Sequence, residues 1–366
     1  MSAQLFLIDR PTWVNPAPLL AANREQEWSF KLLNQNDALV DDLDGVTDCS
    51  LTFNVNAEVR GGGSLTYLGP EIDWHRHRIQ PWITVRASGQ EQSWPLGVFI
   101  PSRPRDQYGD AQEPVTLDLY DKSKILGEIE ADTGYSLPAG AVVTDRVRDV
   151  LTRNRIRPLA VTDSPATART GRGWEWGTAI KTVVNEMLET INYFSLYVDP
   201  YGVYRADPYT RPQDRSPAWH FRDDAQGIYS PGFTRERDEH GVPNRVVLVS
   251  AVEADVRPLI ARAQITDPKH PMYWANIGQI RSYRRDNVAT TDQTTLDAMA
   301  TRILEEKQRV NSTYQIEHLP IPININDAVH FTRAARSIDA LTTVQSMELS
   351  MDSALCRTTL REVIAA

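Results

Sequence analysis

The sequence predicts an α+β protein that is mainly β, with two tube-like antiparallel β-barrel or β-sandwich domains and inserted α+β domains. Three observations support this class. Apolar and polar residues alternate near both ends of the chain, an amphipathic helix runs into a β-hairpin in the middle, and Gly- and Pro-containing turns separate the β segments. A length of 366 residues is enough for two or three domains, at roughly 150 residues per domain.

Residues 1–135 are predicted to form the first tube-like β domain. Segments 51–56 and 115–120 alternate apolar with polar residues, which is typical of half-buried antiparallel strands. A further β segment is predicted over 72–85. The glycine-rich stretch 61–64 lacks the Lys-Ser/Thr of a phosphate loop and is interpreted as a flexible hairpin tip.

Residues 136–225 are predicted to form an α+β helix–hairpin domain. A first helix is expected over 144–153. A second helix follows, whose apolar stripe consists of Ile180, Val183, Val184, Met187, Leu188 and Ile191. The alternation over 193–198 and the turn residues 199–202 then predict a hairpin, and an apolar helix face followed by a hairpin predicts that the two pack together.

Residues 226–366 are predicted to form the second tube-like β domain, interrupted at about 253–311 by a helix-containing insertion. A short apolar strand over 246–249 is expected to open this domain, and the insertion is expected to contain a helix over 294–309. After the insertion, strands are predicted over 314–319, 328–331, 341–351 and 355–361.

Composition narrows the possible functions. The chain has 48 acidic and 39 basic residues, a net charge of −9, which argues against a surface that coats nucleic-acid phosphates. Only six of the basic residues are Lys, so 33 are Arg; Arg suits protein interfaces, although a GC-rich genome gives the same bias. No run approaches the ~18 apolar residues of a membrane span, and Asp9 and Arg10 interrupt any signal-peptide core. We therefore expect a soluble protein without membrane insertion, assembled in a cytoplasm.

Metal and thiol chemistry have weak support in the sequence. In an extended strand, His75 and His77 would lie on one face about 6.5–7 Å apart, but no third ligand is indicated, so a surface or interface strand is favoured over a metal site. The other histidines are scattered and are interpreted as structural: His220, His240, His270, His318 and His330. Cys49 and Cys356 exclude a disulfide framework and leave a single bridge open.

Catalytic motifs are also missing from the sequence. No nucleophile-elbow, zincin or dinucleotide fingerprint occurs. The helical carboxylates are interpreted as a charged solvent face: Glu186, Glu189, Glu305 and Glu306. Trp174 and Trp176 could stack on a sugar, but anchoring of the following helix to the hairpin is favoured. We therefore predict no catalytic residue, cofactor site or metal site, and no enzymatic activity.

The order of these units resembles the baseplate hub or tail-tip hub of long-tailed bacteriophages, an architecture also found at the N-terminus of their tail-associated proteins. The resemblance covers essentially the whole chain and depends mainly on this order. Four segments contribute to it: VTLDLYD at 115–121, YVDPYGVY at 197–204, PNRV at 243–246 and HLPIPININDAV at 318–329. In the last segment Asn326-Asp327 replaces the Gly-Asp of the family pattern, and Asn also tolerates positive φ.

The resemblance implies a structural protein of the virion tail tip. Hubs of this kind form homotrimers in which two tube-like domains per chain make a ring of six, matching a sixfold tail tube to a threefold tip. The implied partners are further copies of the chain, a distal tail protein or tail tube, a tape-measure protein and other minor tail proteins. DNA would pass transiently and without specific binding during ejection.

Two further expectations concern the envelope of the host and the ring interior. The chain ends at Ala366 soon after its last predicted strand, so any cell-wall cutting is expected to belong to other polypeptides. The alternatives are an envelope-carbohydrate-binding or peptidoglycan-degrading tail component, and an unrelated multi-domain β binding protein. If the ring conducts DNA, its lumen should be neutral or negative, with Arg residues concentrated at interfaces.

Overall fold

A computed structural model describes residues 16–21, 23–106, 114–131, 134–236, 242–251, 257–290, 292–307 and 312–363. The N-terminal segment, including Asp9 and Arg10, and His240 lie outside the described residues. Strands dominate and helices are few, so the prediction of an α+β, mainly β fold is confirmed. Within the described ranges, no helix is both long and apolar enough to span a bilayer.

The first β region contains eight strands among the described residues. They are β1 (Glu25–Asn34), β2 (Leu39–Asp42), β3 (Val46–Asn54), β4 (Gly61–Tyr67), β5 (His77–Ala87), β6 (Gln90–Pro95), β7 (Phe99–Asp106) and β8 (Val115–Asp121). The middle of the chain has short strands. They are β9 (Tyr135–Leu137), β10 (Leu159–Val161), β11 (Arg172–Trp174), β12 (Tyr197–Val198), β13 (Tyr204–Ala206) and β14 (Trp219–Phe221).

The last third returns to longer strands. They are β15 (Tyr229–Glu236), β16 (Arg245–Ser250), β17 (Ile260–Gln264), β18 (Ser282–Val288), β19 (Thr313–His318), β20 (Ala328–Arg333), β21 (Ile338–Ser350) and β22 (Cys356–Glu362). The α-helices are α1 (Pro16–Leu20), α2 (Ser123–Glu128), α3 (Val143–Arg153), α4 (Ile180–Thr190), α5 (Trp274–Ile277) and α6 (Gln293–Lys307). Short 3-10 helices cover Trp74–Arg76, Pro212–Asp214 and Ala334–Arg336.

One large sheet joins the two ends of the chain. Its strand order is β15-β19-β22-β21-β3-β4-β8-β7-β5-β1-β2, with β14 and β20 branching from β21 and β6 from β5. The join is the antiparallel pair β21–β3, in which Leu349 lies opposite Leu51. A single hydrophobic cluster, with residues from both the first and the last β regions, packs against it. The domain boundaries at 135/136 and 225/226 remain predictions.

The middle of the chain has its own core, built around α3 and α4. The predicted apolar stripe of α4 is buried throughout, which confirms the helix and its packing face. The predicted hairpin is shorter than expected: β12 covers only Tyr197–Val198, and Tyr193 reaches Pro208 through an isolated bridge. Asp199 closes the turn, because its Oδ1 accepts the backbone N–H groups of Tyr201 and Val203 at 3.0 Å.

The insertion differs from its prediction. The strand expected to open the second β domain is β16, and it lies in a separate three-stranded sheet, β17-β16-β18, instead of the large sheet. Its apolar side packs on α6, with Val246 and Leu248 fully buried. Strands β17 and β18 were not predicted, because proline-containing polar sequence surrounds them. Strand β15, which precedes β16 in the chain, lies at the edge of the large sheet.

Candidate functional site: the polar face of the large sheet

Eight neighbouring strands of the large sheet, from β15 to β7, separate an apolar side from a polar side. In β3, Cys49 and Leu51 are fully buried in the core, whereas Ser50 and Thr52 point to the opposite side. Because directly opposed residues in a sheet share a side, the register extends this polar side across strands. Ser50 lies opposite Ser64 on β4 and opposite Ser350 on β21.

We call this side the polar face, and it is dominated by short hydroxyl and amide side chains. On the strands of the last β region it comprises Thr234, Glu236, Thr313, Gln315, Glu317, Ser346, Glu348, Ser350, Arg357, Thr359 and Arg361. On the first β region it comprises Asp48, Ser50, Thr52, Asn54, Gly62, Ser64, Thr66, Ile100, Ser102, Arg105, Thr116, Asp118 and Tyr120. Five of these positions are acidic and three are basic.

Several charges of the polar face are paired across strands. Arg357 on β22 lies between two carboxylates, with its Nη2 3.2 Å from Glu317 Oε1 and its Nη1 3.7 Å from Glu348 Oε2. Arg105 on β7 is in direct contact with Asp118 on β8. All of these side chains remain partly exposed, so each pair contributes little to stability but cancels local charge.

The glycine-rich segment 61–64 is part of this sheet, and its prediction as a flexible hairpin tip is wrong. It begins strand β4, between β3 and β8. A Cβ added at Gly63 would lie 1.9 Å from the carbonyl oxygen of Ser50, so the two backbones approach too closely for any side chain. A glycine run has no alternation to mark it as a strand, which is why the pattern was misread.

Both ends of this eight-stranded section have open backbone edges. At one end, β15 pairs only with β19 among the strands that the structure describes. At the other, β7 pairs with β8 along its length but with β5 only at Ile79–Phe99, which leaves the outer side of 100–106 without a strand partner in the described part of the chain. Pro101, Pro104 and Pro231 lie in these edge strands, where proline limits uncontrolled strand pairing.

A buried ion cluster fixes the middle of the chain against the first β region. Lys122, between β8 and α2, is fully buried; its Nζ lies 2.5 Å from Asp37 Oδ2 and donates to the carbonyl of Gly202 at 2.7 Å. Arg78 reaches the other oxygen of Asp37 at 2.5 Å. Tyr204 stacks under the ammonium, 4.8 Å from ring centroid to Nζ, and donates to the carbonyl of Lys122. Burial lowers the pKa of Lys122, and the nearby Asp37 carboxylate opposes that shift.

The predicted extended strand through His75 and His77 is wrong. Trp74–Arg76 forms a 3-10 turn because Trp74 is buried against Tyr67, and only His77 belongs to β5. His75 is exposed, and His77 Nδ1 lies 2.8 Å from the carbonyl of Asp73. Over the ranges that the structure describes, no group of three or more His, Cys, Asp or Glu side chains could hold a metal ion.

The two tryptophans have separate environments. Trp174 is buried, and its Nε1–H donates to Glu186 at 2.5 Å, which links β11 to α4; the predicted anchoring of α4 to the hairpin stays a prediction. Trp176 is 80% exposed.

The helical carboxylates also differ in their surroundings: Glu189 pairs with Arg285 at 2.6 Å, whereas Glu305 is not on a solvent face. Its side chain is 9% exposed, and burial raises its pKa to about 6.

The remaining histidines and the two cysteines lie at separate places in the described residues. His318 is fully buried, with Nε2 2.8 Å from Thr358 Oγ1 and Nδ1 2.8 Å from the carbonyl of Leu319; burial lowers its pKa to about 4. His220 and His330 lie side by side on β14 and β20, with 3.1 Å between Nε2 and Nδ1. His270 Nδ1 accepts the N–H of Met272. Cys49 and Cys356 are buried free thiols, and burial raises the pKa of Cys356 to about 12.

The described architecture is that of phage tail proteins, and the resemblance predicted from the sequence is confirmed at the level of the fold. The chain superimposes on a crystal structure of a tail protein from Neisseria meningitidis MC58 with a TM-score of 0.66 and 12% identity, covering 92% of this chain and 96% of that one. It matches the 43 kDa tail protein of prophage MuSo2 from Shewanella oneidensis (TM-score 0.58, 14% identity, 91% and 98% covered). It also matches prophage tail protein gp18 from Listeria monocytogenes EGD-e, with a TM-score of 0.54 and 12% identity, covering 91% of this chain and 94% of that one. No known protein family and no curated protein matches the sequence.

Proposed function

We propose that this chain is a structural component of a bacteriophage tail tip, a baseplate hub that forms a trimeric ring and allows DNA ejection. One observation carries the proposal: a continuous polar face spans eight strands and ends in two different open edges. The fold shared with tail proteins supports it. The ring joins the sixfold tail tube to the threefold tip, and it lies at the tail tip of the virion.

The two edges give the ring its closure. An interface between unlike surfaces repeats head to tail, and it closes when the rotation between copies completes a circle. Edge β15 of one copy therefore meets the outer side of β7 in the next, and closure covers the backbone groups that each edge exposes. In this proposal 1–135 and 226–366 are the two tube-like domains, 136–225 is the helix–hairpin domain, and the helix-bearing insertion lies outside the ring.

The polar face is suited to the inner wall. Duplex DNA carries about one negative charge per 1.7 Å and adheres to surfaces rich in free Lys or Arg by releasing counterions. On the polar face, Arg357 and Arg105 are neutralised by neighbouring carboxylates, and hydroxyl groups fill most other positions. Such a wall stays wet without retaining DNA, so DNA passes transiently and no catalytic residue takes part.

The proposed partners are other copies of the chain, the distal tail protein or tail tube, the tape-measure protein and other minor tail proteins. Electron microscopy of the purified full chain at high concentration, and of tail tips in particles, tests the assembly. We expect threefold rings with the polar face inward. A monomer in intact tails would contradict the ring, and clearing of peptidoglycan by the isolated chain would favour the alternative, an envelope-degrading tail component.

A further inference from the structure

The net charge of the chain is concentrated in one region. Residues 1–135 contain 20 acidic and 11 basic residues, a net charge of −9, which equals the charge of the whole chain. Residues 242–311, which contain the separate three-stranded sheet, have 8 acidic and 10 basic residues, a net charge of +2. The two regions are therefore electrostatically complementary, which favours contact between them in neighbouring copies.

The acidic region presents one unusually exposed edge strand, β2. All four of its residues are exposed, and Leu39 and Val40 are 60% and 51% exposed. Asp41 and Asp42 form no ion pair with any cation among the described residues. Of the described strands, β2 pairs only with β1, so no strand of the described ranges covers its outer edge. The hydrogen bond from the Leu43 N–H to the Phe30 carbonyl fixes the ladder so that Asp42 directs its own backbone groups to that edge.

The basic region presents a matching edge strand, β17. Its one strand partner in the described part of the chain is β16, and Ile260 is 46% exposed. Arg262 is exposed and forms no ion pair within the described ranges. The hydrogen bond from the Ser250 N–H to the Leu259 carbonyl fixes this ladder, so Arg262 directs its backbone N–H and C=O to the open edge.

We propose that β2 of one copy adds as a further strand to β17 of the neighbouring copy, forming a clasp outside the ring. The inference rests on the proposed ring, because it needs copies arranged head to tail. Pairing of β2 with a second β2 is disfavoured because their aspartates would repel. Pairing with β17 is favoured because Arg262 carries the opposite charge.

The clasp also runs in the same direction as the ring interface. Strands β2 and β7 both belong to residues 1–135, and β15 and β17 both belong to residues 226–366. In both contacts, residues 1–135 of one copy meet residues 226–366 of the next, so the two contacts have the same head-to-tail direction. Because β17 belongs to a separate sheet, the clasp adds contact without changing the polar face.

A cysteine cross-link tests the clasp directly. Two full-length variants, Val40→Cys and Gln264→Cys, are mixed, assembled and oxidised. An antiparallel pairing of Asp42 with Arg262 places residue 264 beside the register shift at Val40, within the reach of a disulfide. The native thiols do not compete because both are buried. We expect a covalent dimer of the two variants. As a control, Leu68→Cys in place of Val40→Cys should give no covalent dimer. If Val40→Cys forms a disulfide with Ile260→Cys and not with Gln264→Cys, the clasp forms with parallel strands.

Charge reversal provides the second test. Asp41→Arg/Asp42→Arg should raise the concentration needed for assembly about tenfold at low salt, and Arg262→Asp in the same chain should restore part of that loss. Glu25→Arg/Glu71→Arg makes the same change in charge at exposed sites away from β2 and should have little effect. Threefold rings without either cross-link overturn the clasp and leave the proposed function intact. A wild-type chain that forms no ring overturns both.

Discussion

Two clusters of ionised groups in this protein have opposite consequences. In the buried ion cluster between the middle of the chain and the first β region, Lys122 and Asp37 are almost completely buried, and Lys122 Nζ lies 2.5 Å from Asp37 Oδ2. On the polar face, Arg357 lies between Glu317 and Glu348 at 3.2 and 3.7 Å, and all three side chains are about half exposed. Both clusters consist of carboxylates paired with basic side chains, and they differ in how far water reaches them.

Water access determines what each cluster contributes. Removing one partner of a buried pair leaves an uncompensated charge away from solvent, whereas an exposed pair is largely replaced by hydration. The buried ion cluster therefore determines how the hairpin is held against the first β region. The pairs on the polar face leave stability almost unchanged and determine the electrostatic potential of the surface.

Breaking the buried pair should give the largest effect. Asp37→Asn keeps the shape of the side chain and the positive φ of 63°, which Asn tolerates, but leaves Lys122 without its carboxylate. We expect the free energy of unfolding to fall by about 3 kcal/mol in chemical denaturation. Adding Lys122→Met should recover part of that loss, because it removes the unpaired cation. Additive effects of the two substitutions would contradict the coupling.

The buried His318 makes the stability of the fold depend on pH, which extends the comparison of buried and exposed groups. The pKa of His318 is lowered from 6.5 to about 4 by burial, so between these values the unfolded chain takes up a proton that the folded chain does not. Stability should therefore fall as pH decreases through this window, by about 3 kcal/mol at pH 4. Because carboxylates also titrate there, the measurement is the difference in pH slope between the wild type and His318→Gln. Equal slopes would show that His318 does not contribute.

The exposed cluster should give the smallest change in stability and a different phenotype. Glu317→Gln/Glu348→Gln should alter the free energy of unfolding by less than about 1 kcal/mol. The same change leaves Arg357 uncompensated, so retention of duplex DNA at low salt should increase. Adding Arg357→Gln should abolish that increase. A large loss of stability would show that the polar face depends on these pairs for its structure.

Local patterns predicted the elements that depend on side-chain periodicity. The stripe of α4 and the alternation in β3 and β8 gave the correct element and the correct buried side, because burial follows directly from spacing. The polar face could not be predicted as a unit, because it requires the pairing of β21 with β3, which no local pattern encodes. Likewise, nothing around Lys122 indicates that residues near 37 and 202 would enclose it.

The pairing of β3 with β21 also has a consequence in time. The two strands are separated by residues 55–337, so a growing chain completes β3 long before its neighbour exists. At 5–20 residues per second, roughly 15 to 60 s pass between them. During that interval the edge of β3 is unpaired and the polar face is incomplete. A truncated chain thus cannot form the complete surface, and in the proposed tail tip only chains whose synthesis has finished would supply it.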